Sequence, residues 1–333
     1  MSQLNDSDII LFEYNFHYQN IRSKNPLDIA FGIDRNFLFG CGVAIASILL
    51  NNREISCEFH VFTDYISDKD KLYFSDLAKQ YNSRINIYVI NCDKLKSLPS
   101  TKNWTYATYF RFIIADYFYN KHEKILYLDA DIACKGSIKE LLDYQFSTNE
   151  IAAVVAERDV EWWQNRASVL TTPQLASGYF NAGFLYINIE NWIKFDIENK
   201  ANTVLFEQGK SLPYFDQDAL NIAMNGNVKF IDKRWNFLFN WFKDQQKDTF
   251  FYQKDILPRI IHFTGGRKPW YKEHTGLSQQ LYLFYHHFTP WRNTEMRSYA
   301  PRMRPTDYRV YSRQESKKGN YFASFKWYLK YLK

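Results

Sequence analysis

Ile125-Leu126-Tyr127-Leu128-Asp129-Ala130-Asp131 decides the fold of this 333-residue chain. The apolar run reads as a buried strand bounded by polar residues, and alternation at its end points both carboxylates to one side. Two hard oxygen donors therefore stand at a sheet edge. Much later the chain runs His262-Phe263-Thr264-Gly265-Gly266-Arg267-Lys268-Pro269-Trp270. That segment offers an imidazole, glycines whose backbone amides approach phosphate oxygens, and a lysine point charge. Two carboxylates, a neutral imidazole and diphosphate oxygens suit Mg²⁺ or Mn²⁺, whereas zinc favours Cys and His ligands. The two segments together imply an enzyme that handles a nucleotide diphosphate.

Around this strand the chain alternates between short apolar runs and helical spacing. Asp28 to Ile33 reads as a first strand and Gly40 to Leu50 as an apolar helix behind it. Cys57 to Phe62 and Ser67 to Tyr81 repeat that unit, with Leu72, Leu77 and Ala78 forming the apolar side of the helix. Ile85 to Ile90 alternates like a third strand, and helical spacing returns over Tyr106 to Tyr117. Such alternation argues for a mostly parallel sheet covered on both faces, in which ligands sit beyond the carboxyl ends of the strands. Asp34 and Asn36 after the first strand, and Asp129 and Asp131 after the fourth, fall at that place. Ile151 to Val155 and Phe184 to Ile187 are further strand candidates, and Gln217 to Met224 a helix.

With 46% hydrophobic and 19% aromatic residues the chain can bury a large core, so extensive disorder is excluded. No linker or internal repeat divides the first 290 residues. Cys41, Cys57, Cys92 and Cys134 form no C-x-x-C pair and read as buried reduced thiols. The polar start lacks a signal-peptide pattern, and the apolar run Leu38 to Leu50 is too short to span a bilayer, so a cytoplasmic location is expected. Residues 292–333 hold 11 Lys/Arg against 3 Asp/Glu, leaving the first 291 residues at 31 against 33. All the excess positive charge of this +6 chain therefore lies in the tail.

Four blocks follow in order: Phe31-Gly32-Ile33-Asp34-Arg35-Asn36-Phe37; Tyr109-Phe110-Arg111 with Leu128-Asp129-Ala130-Asp131; Tyr179-Phe180-Asn181-Ala182-Gly183 with Phe215-Asp216-Gln217-Asp218; and His262 through Trp270. In these the chain resembles the retaining glycosyltransferases of family 8, most closely the bacterial lipopolysaccharide core glucosyl- and galactosyltransferases, over residues 28–291. The resemblance implies an α/β fold: a GT-A, Rossmann-like nucleotide-sugar domain whose mixed, mostly parallel central sheet is flanked by helices. It divides the chain into an N-terminal extension (1–27), lightly structured, the catalytic domain (28–291) and a basic aromatic C-terminal helical tail (292–333).

The same resemblance implies roles. Gly32, Asp34 and Asn36 meet uracil or ribose with Ile33 beside them, and the ring of Phe37 stacks. Asp129, Asp131 and His262 hold Mg²⁺ or Mn²⁺, with Ala130 in the nucleotide-sugar site, and Gly265, Gly266 and Lys268 hold the diphosphate. Gln217 lies near the anomeric carbon, Asp216 and Asn181-Ala182-Gly183 hold the sugar hydroxyls, and Arg111 orients donor and carboxylate. An amide is a poor nucleophile, so front-face attack by the acceptor hydroxyl is expected rather than a covalent intermediate. The donor is UDP-glucose or UDP-galactose and the acceptor a hexose of the lipopolysaccharide outer core, joined through an α-1,3 or α-1,2 linkage.

If Tyr321 to Lys333 is helical, Phe322, Phe325, Leu329 and Leu332 share a sector flanked by Lys326, Lys330 and Lys333, which suits the cytoplasmic surface of the inner membrane. Trp162, Trp163, Trp235 and Trp241 are candidates for an acceptor cleft or for buried core. Two other classes fit parts of the chain. A haloacid dehalogenase-like phosphatase also ends a strand in D-x-D, but normally at the start of its domain. A noncatalytic nucleic-acid-binding protein would use the basic aromatic tail, but no RNA-binding motif accompanies it and no nucleic acid is expected.

Overall fold

The computed structural model describes residues 9–18, 25–93, 95–98, 105–209, 211–239, 257–274 and 276–332. Its eleven strands are β1 Ile10–His17, β2 Leu27–Ile33, β3 Cys57–Thr63, β4 Arg84–Ile90, β5 Lys124–Leu128, β6 Ile132–Cys134, β7 Ala152–Ala156, β8 Phe180–Asn188, β9 Val228–Ile231, β10 Phe237–Leu238 and β11 Ile260–His262. An eight-stranded sheet runs β1-β4-β3-β2-β5-β8-β7-β9, and a small sheet runs β10-β11-β6. Strands β4, β3, β2 and β5 are parallel, as are β7 and β9, while β8 runs antiparallel to both β5 and β7. The sheet is thus mixed and mostly parallel, and β3 is buried at every residue because helices cover both faces.

The helices follow from local chemistry. Helix α1, Leu38–Asn51, is apolar almost all round and lies buried against the sheet. At Gly42 a β-carbon would fall inside the ring of Trp291, so the glycine permits close packing. Helix α2, Asp68–Gln80, is capped by Ser67, whose hydroxyl accepts from the Asp70 amide at 3.1 Å. Helix α3, Phe110–Tyr117, continues a 3₁₀ turn over Tyr106–Tyr109, so the single helix expected over Tyr106 to Tyr117 has a tighter first turn. Further along the chain lie α4 Val160–Val169, α5 Ile189–Lys194, α6 Ile197–Gln208, α7 Phe215–Met224 and α8 Leu277–His287.

The N-terminal residues correct one expectation. Rather than a lightly structured extension, Ile10–His17 forms an edge strand antiparallel to β4, with Phe16 opposite Ile85 and Tyr14 opposite Ile87. The signal was present: Ile10, Phe12, Tyr14 and Phe16 alternate with Leu11, Glu13, Asn15 and His17, a period of two. The four cysteines are buried and unpaired, as expected of reduced thiols.

The tail forms a helical hairpin of α9, Pro305–Lys317, and α10, Tyr321–Leu332, closed at Gly319 with φ +80°. Trp327 stacks on Tyr308 and Tyr311 at 5.9 and 5.1 Å between ring centroids. The opposite sector stays open: Phe322 is 77%, Phe325 58% and Leu332 61% exposed. Arg267 pairs with buried Asp307, fastening α9 to the loop that follows β11. Among the described residues no helix is long and apolar enough to cross a membrane.

A candidate nucleotide-sugar and cation site

The carboxyl ends of β2 and β5 open side by side into a cavity of ≈ 400 Å³, a size suited to a small-molecule ligand. Two pairings build its floor. The Asp129 amide donates to the Gly183 carbonyl at 3.0 Å, which ties the end of β5 to β8. Strand β11 pairs antiparallel with β6, His262 opposite Ile132, and the Phe263 amide donates to the Asp131 carbonyl at 2.8 Å. Residues separated by more than a hundred positions thereby converge: His262 Nε2 lies 3.3 Å from Asp131 and 3.7 Å from Asp129.

Asn236 fixes the imidazole. Its Nδ2 donates to Asn181 Oδ1 at 2.9 Å, which turns its Oδ1 towards His262 Nδ1 at 3.0 Å. His262 therefore carries its proton on Nδ1 and presents Nε2 to the carboxylates. The sequence reading missed Asn236, which sits on a 3₁₀ turn beside Trp235 with no motif to mark it. One ligand atom from each of Asp129, Asp131 and His262 lies within 4.8 Å of the others. Burial alone would raise the Asp131 carboxyl and lower the His262 imidazole. Instead Lys268 and His262 hold Asp131 below the usual carboxylate range, and the carboxylates raise His262. Two hard oxygens with one oriented imidazole fit a divalent cation of the Mg²⁺ or Mn²⁺ type.

Arg111 is the second organiser. From α3 it donates to the Ala182 carbonyl at 2.7 Å and contacts Asp129 at 2.9 Å and Asp216 at 3.1 Å. Asp216, at the start of α7, is pushed up to about 6 by burial despite that guanidinium. Gln217 follows, its Oε1 accepting from the Ala182 amide at 3.1 Å and from Asn181 at 3.2 Å. Asn181 also donates to Glu157 at 2.7 Å. Asp218 points the other way, fully buried against Arg166 and the Tyr179 hydroxyl, and braces the helix rather than lining the cavity.

The first block faces the same cavity. Gly32, Ile33, Asp34, Asn36 and Phe37 line it. Asp34 accepts from the Asn36 amide at 2.7 Å and from Thr105 at 3.0 Å, and Phe37 meets Trp270 edge-on at 5.4 Å. Gly32 also packs closely, since a β-carbon there would lie 2.8 Å from Phe110 Cβ. Gly265, at φ +87°, turns the loop that brings Gly266 and Lys268 to the cavity. Lys268 pairs with Asp131 and donates to the Phe263 carbonyl at 3.0 Å.

Every residue singled out for the nucleotide-sugar, catalytic and cation roles lines this cavity except Ala182 and Gly183, which hydrogen-bond to its lining residues Arg111, Gln217 and Asp129. Trp235 is buried in the core, whereas Trp162 and Trp163 are half-buried, Trp162 packing on Tyr179 and Trp163 stacking on Phe230. Trp241 lies outside the described residues. Arg297 and Arg302, from the segment beyond 291, also line the cavity.

A mixed α/β sheet with a carboxylate pair at the end of its central strand and a second small sheet defines the GT-A class of glycosyltransferase. The crystal structure of the galactosyltransferase LgtC with donor and acceptor sugar analogues matches that fold at a TM-score of 0.66 and 22% identity, covering 80% of this chain and 99% of that one. Residues 28–274 match glycosyl transferase family 8. Among curated relatives, the lipopolysaccharide 1,3-galactosyltransferase of Salmonella typhimurium is 48% identical over 288 residues, 86% of this chain and 85% of that protein. The lipopolysaccharide glucosyltransferase WaaO of Escherichia coli is 42% identical over 332 residues, 98% and 95%. The chain belongs to glycosyl transferase family 8 and is a glycosyltransferase.

Proposed function

We propose that this enzyme moves glucose or galactose from a UDP-sugar to a hexose of the lipopolysaccharide outer core, through an α-1,3 or α-1,2 linkage and with retention of anomeric configuration. The observation that carries the reading is the convergence of Asp129, Asp131 and His262 beside Lys268 in the cavity that also holds Asp34, Asn36 and Phe37. The names of the relatives supply the acceptor class.

Asp34 and Asn36 would bind the nucleoside and the ring of Phe37 its face. Asp129, Asp131 and His262 would hold the divalent cation, which supplies Lewis-acid stabilisation of the leaving diphosphate. Lys268 and the amides of Gly265 and Gly266 would add fixed positive charge where negative charge grows. Asp216 and Asn181 would hold the sugar hydroxyls, and Arg111 keeps Asp216 and Asp129 in place. Gln217 Oε1 already accepts two hydrogen bonds, which favours a positioning role near the anomeric carbon over nucleophilic attack. The acceptor hydroxyl then attacks from the leaving-group side and its proton passes to a diphosphate oxygen.

UDP release from UDP-glucose and UDP-galactose, measured with Mn²⁺, Mg²⁺ or EDTA, tests the donor. Metal-dependent release from one of them is expected; no release from either, with no UDP binding by calorimetry, refutes the reading. The exposed sector of α10, flanked by Lys326 and Lys330, supports a peripheral place on the cytoplasmic face of the inner membrane. Each basic residue near an anionic surface contributes about 1 kcal/mol. Removing residues 312–333 is expected to abolish pelleting with anionic liposomes and to leave donor hydrolysis intact. Unchanged pelleting rules the membrane role out.

A further inference from the structure

Five cationic side chains line the cavity: Arg111, Arg158, Lys268, Arg297 and Arg302. Three of them face carboxylates. Arg111 contacts Asp129 and Asp216, Arg158 lies 3.7 Å from Glu157, and Lys268 pairs with Asp131. Among the described residues, Arg297 and Arg302 make no such ion pair. Arg297 donates to the Asn36 carbonyl at 2.8 Å and lies over the Phe39 ring at 4.1 Å. Arg302 donates to the Tyr271 hydroxyl at 3.1 Å.

Their segment runs along the chain that follows Lys268. The Arg297 amide donates to the Trp270 carbonyl at 3.2 Å and the Lys272 amide to the Arg297 carbonyl at 2.9 Å. Arg297 thus bridges the nucleoside block, through Asn36, and the segment after the Gly-Gly turn, through Trp270. Both arginines lie beyond residue 274, where the family match ends.

We propose that Arg297 and Arg302 bind the diphosphate of the donor nucleotide, so that the segment leading to the tail completes the donor site; this rests on the donor reading above. A guanidinium presents donors in a planar fork that matches phosphate oxygens. Both guanidiniums are exposed and, among the described residues, in ion-pair contact with no carboxylate, so their remaining fork donors can turn to an anionic ligand. Cleavage of the sugar–phosphate bond leaves the electron pair on the diphosphate and raises its negative charge. Guanidiniums placed there act more strongly on the transition state than on the bound donor.

The test is calorimetric titration of UDP in Mn²⁺ at several salt concentrations, on the full chain and on Arg302→Gln, Arg297→Gln and Arg297→Lys. Each glutamine variant is expected to weaken UDP binding about tenfold, to flatten its salt dependence and to keep the wild-type Tm. Arg297→Lys should restore part of the loss. UDP affinity within twofold of wild type in both glutamine variants overturns the proposal while leaving the donor reading standing. So does a loss with unchanged salt dependence, which marks a packing effect. A wild-type chain that does not bind UDP removes the donor reading and this inference with it.

Discussion

Asp131→Asn is expected to lower metal-dependent UDP release by on the order of a thousandfold, because cation stabilisation of a leaving group is worth several kcal/mol. The carboxylate is buried and central: it faces His262 at 3.3 Å and pairs with Lys268. An amide in its place offers one neutral oxygen to the cation and leaves both Lys268 and His262 without their shared counter-charge. The folded structure should survive, since asparagine matches the shape and the Asp131 backbone carbonyl still accepts from Phe263. The decisive comparison is UDP release against Mn²⁺ concentration, with Tm followed in parallel. Release unchanged from wild type at every Mn²⁺ concentration would remove Asp131 from the cation site, and the assignment of the whole cluster with it.

The legible parts of this molecule were those that local pattern controls. The parallel core strands were readable because each is a short apolar run followed by helical spacing, and helix α2 because Ser67 caps it. Asp129 and Asp131 could be placed at the end of the apolar strand, although they stand in the bend between β5 and β6 rather than on a strand whose alternation aims them. His262 could not: its approach to Asp131 depends on antiparallel pairing of β11 with β6, a contact between segments more than a hundred residues apart that no local periodicity encodes. It entered through the chemistry of its segment, an imidazole just ahead of Gly265, Gly266 and Lys268, and through family resemblance. Asn236 was invisible for the same reason, since its importance lies in the two hydrogen bonds that relay Asn181 to His262. The tail misled in a different way. Its charge and aromatic content mark one surface role, whereas Arg297 and Arg302 also reach the cavity because their segment hydrogen-bonds along Trp270 and Lys272.

Gly183→Ala should uncouple the cation from the fold more selectively than loss of a ligand does. Gly183 lies under the cluster, and a β-carbon there would overlap His262 Cε1 and stand 2.8 Å from both Asp129 Oδ2 and His262 Nδ1. Neither neighbour can yield freely. Asp129 is held by Arg111 at 2.9 Å and by the Tyr127 hydroxyl at 3.0 Å, while His262 is buried and bonded to Asn236. The added methyl group must therefore push the imidazole and the carboxylate apart, widening the set of ligand atoms. Disturbing the shell that orients metal ligands typically costs about 10–100-fold in metal affinity, so the Mn²⁺ concentration for half-maximal UDP release is expected to rise by about that factor. Activity should recover in part at high Mn²⁺, which separates this variant from Asp131→Asn, where a ligand is missing rather than displaced. A Gly183→Ala enzyme with the wild-type Mn²⁺ midpoint would show that the cation does not sit between Asp129 and His262.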